Sequence, residues 1–246
     1  MCPTDNPERL DKYDYMPGDI GADAGEPAAE RQPKLSRIAY ARFKQSLFAR
    51  RIPIGATVTQ AELVELLEVP IGPLREALQV LEHDGLVTML PRSGIRIVQP
   101  GMGLMKDSFQ LRRILELEAV RKYAEVARAD ELARLETAHR DVLAAAQSRL
   151  AEDALIDRSG TVDRGFHAIL IGALRNPQIR EVYSQTNERI RLVRLDNRYR
   201  QSAATVMQAM QEHLVILDAL RGHDSAAAVA AMEDHLRRAL HRAIGL

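Results

Sequence analysis

Four side chains in the second half of this 246-residue chain are of the kinds that hold metal ions: Asp163, His167, His213 and His235. Asp163 and His167 are four residues apart, so on a helix they share one face. His213 and His235 flank Gly222, nine residues before it and thirteen after. If the chain turns at Gly222 between two helices, a rise of about 1.5 Å per residue brings both imidazoles to within roughly two turns in height. Three imidazoles and one carboxylate suit a divalent transition metal, zinc first, with nickel and manganese also fitting. Read singly, each histidine fits an ordinary buried residue as well: His213 adjoins Leu214 and Ile216, and His235 adjoins Leu236. His83, His139, His223 and His241 show no such spacing and are expected at the surface.

A second constellation occupies Val58 to Val98, VTQAELVELLEVPIGPLREALQVLEHDGLVTMLPRSGIRIV. Thr59 and Glu62 form a T-x-x-E capping box for a helix over residues 60–67, with Leu63, Leu66 and Leu67 facing inward. After the turn at residues 68–71, another helix runs from Gly72 or Pro73 to His83, where a first-turn proline is tolerated because its missing N–H has no helical partner. Leu74, Leu78 and Leu81 form its buried stripe, and Arg75 falls off that stripe near the N-terminus. Gly85 stops the helix. Residues 87–90 and 95–98 are β-rich runs around a basic tip, Pro91-Arg92-Ser93-Gly94, which reads as a hairpin. Helix, turn, helix and hairpin in this order make a winged helix-turn-helix, which places one helix in the major groove of DNA. The DNA-facing set expected from it is Thr59, Gly72, Arg75, Arg92, Ser93 and Gly94. Winged helices also dock proteins, and Arg75 or Arg92 alone fits a solvated surface residue.

The elements that must position these residues divide the chain into four stretches. Residues 1–33 are polar, with five of the chain's prolines, and carry three basic against eight acidic residues. Such a segment cannot bury enough apolar surface to order itself and is expected to be disordered. Residues 34–99 form the winged helix-turn-helix, whose first helix, residues 34–51, packs Leu35, Ile38, Ala39, Phe43, Leu47 and Phe48 behind the reader. This stretch holds nine basic and six acidic residues, a mild bias of the sign that phosphates attract. Residues 100–109 are a linker and the start of the next helix. Residues 110–246 show helical periodicity with breaks near Asp130, Arg158-Ser159-Gly160, Asn176-Pro177, Gln201-Ser202 and Gly222, giving six helices in an antiparallel all-α bundle. On the helix after Pro177, an inward stripe of Ile179, Val182, Tyr183, Thr186, Ile190 and Val193 carries Asn187 on its edge. The fold class expected is therefore mainly α. No apolar run approaches 18 residues, so no membrane is expected as a partner. One cysteine, Cys2, fits a reducing cytoplasm, and the acidic N-terminus is no secretion signal.

The string LREALQVLEHDGLV followed by PRSGI resembles the GntR family of bacterial transcription regulators, whose recognition helix typically opens S-R-T-P-V-R-E-A-L. Pro73, Arg75, Glu76, Ala77 and Leu78 match; Pro70, Ile71 and Gly72 stand where the family has serine, arginine and threonine, and Ala61 replaces a further DNA-contacting arginine. The strings DRGFH, EHLVILDAL and DHLRRAL resemble the FCD ligand-binding domain of the FadR-type branch. In its metal-binding members an Asp-x3-His pair and two later histidines hold the ion, positions that Asp163, His167, His213 and His235 occupy. The resemblance also implies that an organic acid completes the metal's coordination, with Arg112 of LRRILELE as its inward-facing counter-charge and Asn187 as a further contact; the alternative for Arg112 is a surface ion pair with Glu116. Together these imply a cytoplasmic, homodimeric, effector-responsive repressor of a double-stranded operator. An enzyme using the same four ligands is the alternative, against which no further carboxylate or nucleophile stands as a general base. A structural metal with a protein-docking winged helix is another.

Overall fold

The computed structural model describes residues 28–148, 151–195 and 202–244. The N-terminal half builds α1 (Ala28–Phe48), β1 (Thr57–Val58), α2 (Gln60–Leu67), α3 (Ile71–His83), β2 (Val87–Leu90) and β3 (Gly94–Ile97). Six further helices follow: α4 (Met102–Val126), α5 (Ala129–Gln147), α6 (Glu152–Gly172), α7 (Pro177–Arg194), α8 (Ala203–Arg221) and α9 (Ser225–Ile244). The architecture is thus mainly α, a winged helix-turn-helix followed by a helical bundle.

The reader is held by local chemistry at each end of its helices. Thr59 caps α2, its Oγ1 accepting from the Glu62 amide at 3.2 Å while Glu62 Oε2 accepts from the Thr59 amide at 2.7 Å. At the other end, Arg42 of α1 donates to the carbonyls of Leu67 and Glu68, at 2.8 and 3.0 Å, supplying partners that the helix terminus lacks. Leu63, Leu67, Leu74, Leu78 and Leu81 meet Phe43, Leu47, Ile95 and Ile97 in one core. Leu66, expected inside, is exposed, because α2 presents only a narrow face to α1 and α3.

The wing has one more strand than the hairpin. β1 pairs antiparallel with β3, so the sheet order is β1-β3-β2. This explains Gly94, which has φ +105, and any Cβ there would stand 2.6 Å from the Val58 carbonyl oxygen of β1. A side chain is excluded both by backbone conformation and by the neighbouring strand.

Three expectations are corrected. The disordered tail was expected to reach residue 33; residues 1–27 lie outside the described residues, but α1 already begins at Ala28, since Ala-Ala-Glu-Arg-Gln is a run of strong helix formers. The break expected at Arg158-Ser159-Gly160 lies instead between α5, which ends at Gln147, and α6, which begins at Glu152. α6 runs through Gly160 because Leu155, packed with Val142, Val206 and Met210, holds that turn, and the buried Ser159 hydroxyl donates to Ile156 O at 2.9 Å. A glycine's cost of about 1 kcal/mol in a helix is smaller than the packing it sits within. On α7 Val182 is exposed, while Tyr183, Thr186, Ile190 and Val193 are buried.

The two halves are not beads on a string. The end of α7 lies against the back of the reader, where Leu192 joins the winged-helix core. Around it Glu188 pairs with Lys44 at 2.8 Å, Arg189 Nε donates to Asp84 O at 3.3 Å, and the Arg191 guanidinium lies 3.6 Å from the centre of the Phe48 ring. No helix among the described residues is long and apolar enough to cross a membrane.

Candidate metal centre and nucleic-acid interface

α6, α8 and α9 bring His167, His213 and His235 together in the middle of the bundle, each almost completely buried. The helical turn of α6 sets Asp163 one turn before His167. The tight connection after α8 reverses the chain, with His223 at φ 52 and Asp224 Oδ1 accepting from the Ala227 amide at 2.9 Å. That reversal faces His213 towards His235, and their Nε2 atoms are 3.2 Å apart. One ring nitrogen from each of the three histidines falls within a 4.8 Å span. Asp163 Oδ1 stands 3.8 Å from Nε2 of both His167 and His213, at the more open edge of the cluster.

Each imidazole turns its other nitrogen to a different neighbour. His235 Nδ1 donates to Glu212 Oε2 at 2.8 Å, and Arg242 grips the same carboxylate at 2.7 and 2.8 Å. Burial would raise Glu212, but Arg242 and His235 outweigh it and hold it at about 2. His167 Nδ1 lies 2.7 Å from Glu116 Oε2, in contact but misaligned for a hydrogen bond. Glu116 is a second fully buried carboxylate. Its Oε1 accepts from Arg112 Nε at 2.5 Å and from the Tyr183 hydroxyl at 2.8 Å. Burial alone would raise its pKa; Arg112 and His167 reverse that and keep it below the usual carboxylate range. The Arg112–Glu116 pair is therefore buried in the core and not on the surface, and Arg112 stays charged despite its burial because of Glu116. Asn187 is half-buried one helical turn after Tyr183 on α7, so both residues expected to meet an effector lie at one network that ends on His167.

This donor set suits a transition metal: imidazole nitrogens with a carboxylate nearby, backed by outer hydrogen bonds that orient the rings. The observation that tests the fit is His167 Nε2, a buried nitrogen with no hydrogen-bond partner among the described residues. Leaving such a group unsatisfied costs about 1–3 kcal/mol. A cation held by the three Nε2 atoms would satisfy it. Two of the imidazoles, those of His213 and His235, are also in the right protonation state. Burial is the largest cause that depresses His213 and His235, and at His235 it outweighs the hydrogen bond to Glu212, so both are neutral near pH 7.

His139, expected at the surface, is fully buried beside His213. The signal was present: Leu132, Leu135, His139 and Val142 follow a three-four-three spacing, and His139 occupies an inward position of that stripe. Glu212 was missed because its role depends on α9 crossing α8, which no local pattern encodes.

On the reader, Arg75 is exposed on the first turns of α3, and its Nε donates to Gln60 Oε1 of α2 at 2.9 Å. Gln60, absent from the expected set, thus orients the arginine. A Cβ at Gly72 would meet nothing within 4 Å, so that position is open, and Ile71 beside it is exposed. The Thr59 hydroxyl is engaged in the capping box. Arg92 and Ser93 are exposed at the wing tip, Arg92 with φ 63, next to Gly94. Arg96 was overlooked: it lies between the inward Ile95 and Ile97, so alternation turns it outward on β3.

The profile "Bacterial regulatory proteins, gntR family" matches residues 35–97, and the profile "FCD domain" matches residues 107–238. The chain is 31% identical over 144 residues to the Nta operon transcriptional regulator of Aminobacter aminovorans, covering 57% of this chain and 64% of that protein. It is 28% identical over 222 residues to the HTH-type transcriptional repressor NanR of Edwardsiella tarda, covering 82% and 83%. Among solved structures, Escherichia coli McbR/YncC superposes with a TM-score of 0.71 at 19% identity, covering 84% of this chain and 95% of that one, a likeness of fold.

Proposed function

Since the chain belongs to the GntR family of DNA-binding transcription regulators and carries an FCD domain, we propose that it is a repressor whose hold on its operator responds to a small organic acid bound at a metal centre in the bundle. Family and relatives alike are regulators and not enzymes. In this reading His167, His213, His235 and Asp163 hold a divalent transition metal, zinc first. The metal would supply a Lewis-acidic position for a carboxylate oxygen. Arg112 and Asn187, through the network on Glu116 and Tyr183, contribute the polar wall against which the acid is oriented. Arg75, with Gly72 beside it, reads the major groove. Thr59 stands at the capped start of α2, and Arg92, Ser93 and Gly94 of the wing lie along the backbone.

The observation that carries the proposal is the path of α7. Its middle turns place Tyr183 in the polar network beside His167, with Asn187 one turn on, and its last turns place Leu192 inside the core of the reader. Arg194, two residues on, lies 3.8 Å from Asp163 Oδ2. A ligand that favours one setting of α7 thereby favours one setting of the reader, and it shifts the equilibrium only by its differential affinity for the two. The related NanR is named a repressor, which supports the sign. Two readers one turn of DNA apart suit a palindromic operator, so the acting form in this proposal is a homodimer, working in the cytoplasm.

The test is DNA retention on the promoter-proximal operator with zinc-loaded and chelator-treated protein, titrated with a panel of mono- and dicarboxylates. Release by at least one acid from the loaded protein alone is expected. Equal release, or none, from both preparations would refute the metal-dependent response.

A further inference from the structure

We infer that His139 is a positioning residue for the metal centre, holding His213 in the tautomer whose Nε2 is bare and free to bind a cation. The inference rests on the proposed metal site and adds a residue outside the Asp-x3-His pattern to it. His139 Nδ1 lies 2.6 Å from the Leu135 carbonyl oxygen. A carbonyl only accepts, so Nδ1 carries the proton and, in a neutral ring, Nε2 has none. That Nε2 lies 3.0 Å from His213 Nδ1. Two nitrogens bond at this distance only if one carries a proton, so the proton sits on His213 Nδ1. His213 Nε2 is then left with its lone pair, directed at His235 Nε2 and Asp163 Oδ1.

The relay therefore runs from a backbone carbonyl through two rings to a ligand atom. Its rings cannot readily turn. Phe166 stacks on His213 at 4.5 Å between centroids and 29° between planes, and meets His139 edge-on at 5.3 Å and 83°. His139 is fully buried, so water does not compete with the Leu135 carbonyl for its Nδ1.

His213 differs in this from the other two ligands, which face carboxylates, Glu116 and Glu212. A carboxylate adds negative charge behind the ring; His139 adds orientation with no charge. The consequence is visible at the centre. His235 donates from Nδ1 to Glu212, so its Nε2 is also bare. Two lone pairs then face each other across 3.2 Å, an arrangement that repels by itself and is relieved by a cation shared between them.

The experiment has two readouts. Long-range proton–nitrogen NMR on chelator-treated full-length protein reports which nitrogen of His213 carries the proton, with no metal involved. Wild type should show the Nδ1 proton alone, and His139→Leu a mixture of both tautomers. Competition with a chromophoric chelator reports zinc affinity, expected to fall about 10–100-fold in His139→Leu. His139→Gln, whose amide oxygen can accept from His213 Nδ1, should recover a substantial part of that loss. A proton on His213 Nε2 in the wild type overturns the inference, as does wild-type zinc affinity in His139→Leu. If wild type binds none of zinc, nickel or manganese, the metal reading fails and this role fails with it, whichever tautomer is seen. Should the leucine variant not fold, the wild-type spectrum and the glutamine variant still decide.

Discussion

Replacing Glu116 with leucine should cost chelator-treated protein about 3–5 kcal/mol of unfolding free energy, the usual consequence of stranding a buried charge. Arg112 is 2% exposed and Glu116 0%, so water cannot take over the lost partner. The carboxylate serves three groups: Arg112 Nε at 2.5 Å, the Tyr183 hydroxyl at 2.8 Å and the His167 ring at 2.7 Å. Leucine leaves the guanidinium as an uncompensated interior charge and the hydroxyl without an acceptor. Arg112→Met should cost less, because Glu116 keeps Tyr183 and His167 and can take up a proton. Replacing both, Arg112→Met with Glu116→Leu, exchanges a buried ion pair for apolar groups of similar volume, which is often neutral or stabilising. The double variant should therefore be more stable than Glu116→Leu alone, with a coupling of about 2 kcal/mol or more in the cycle. Urea unfolding followed by circular dichroism at pH 7.5 gives all four values. A Glu116→Leu cost below about 1 kcal/mol with unchanged denaturant slope would mean that Arg112 reaches water, and would refute the buried network. Under the proposed function, all three variants also lose the response to organic acid.

Arg75→Ala should weaken operator binding by about 1–3 kcal/mol if the side chain makes a bidentate base contact, and Gln60→Ala, which removes the 2.9 Å hydrogen bond to it, by a smaller amount; operator titrations that match wild type for Arg75→Ala would remove it from the reading face. Leu192→Ala opens a hole where α7 enters the reader's core and should destabilise by about 2–5 kcal/mol, while zinc affinity stays as in wild type and the effector no longer changes DNA binding; an intact effector response in a folded variant would disprove the role of α7. Stripped of metal, the protein should lose stability as pH falls below about 6.5. Burial depresses His139, His213 and His235 in the folded state, so the unfolded chain binds more protons in that window, each histidine contributing a slope of at most about 1.4 kcal/mol per pH unit. Glu212, held at about 2, adds a second loss below about pH 4.5. Thermal melts in chelator that are flat between pH 7.5 and 5 would contradict this.

What the sequence determined by itself was whatever depends on neighbours a turn or a hairpin away. The Thr59–Glu62 box, the Leu74, Leu78 and Leu81 stripe and the Asn176 cap of α7, whose Oδ1 accepts from the Gln178 amide at 3.0 Å, are all contacts between residues close in the chain. The Asp163–His167 pair was legible for the same reason, and Gly222 sufficed to bring His213 and His235 to one height because a helical hairpin has few alternatives. Even Gly94 was placed correctly at the wing, although its necessity came from Val58 on a strand that the pattern did not announce. The tertiary structure alone decided what stands behind the histidines. Glu116 comes from α4, His139 from α5 and Glu212 from α8, separated from their rings by 51, 74 and 23 residues. Gly160 likewise reads as a break until α5 and α8 close around its turn. A polar side chain on an apolar stripe is ambiguous in sequence, since burial without a partner and burial with one give the same spacing. Only the packing of other helices supplies the partner, and with it the proton positions that make a cluster of histidines into ligands.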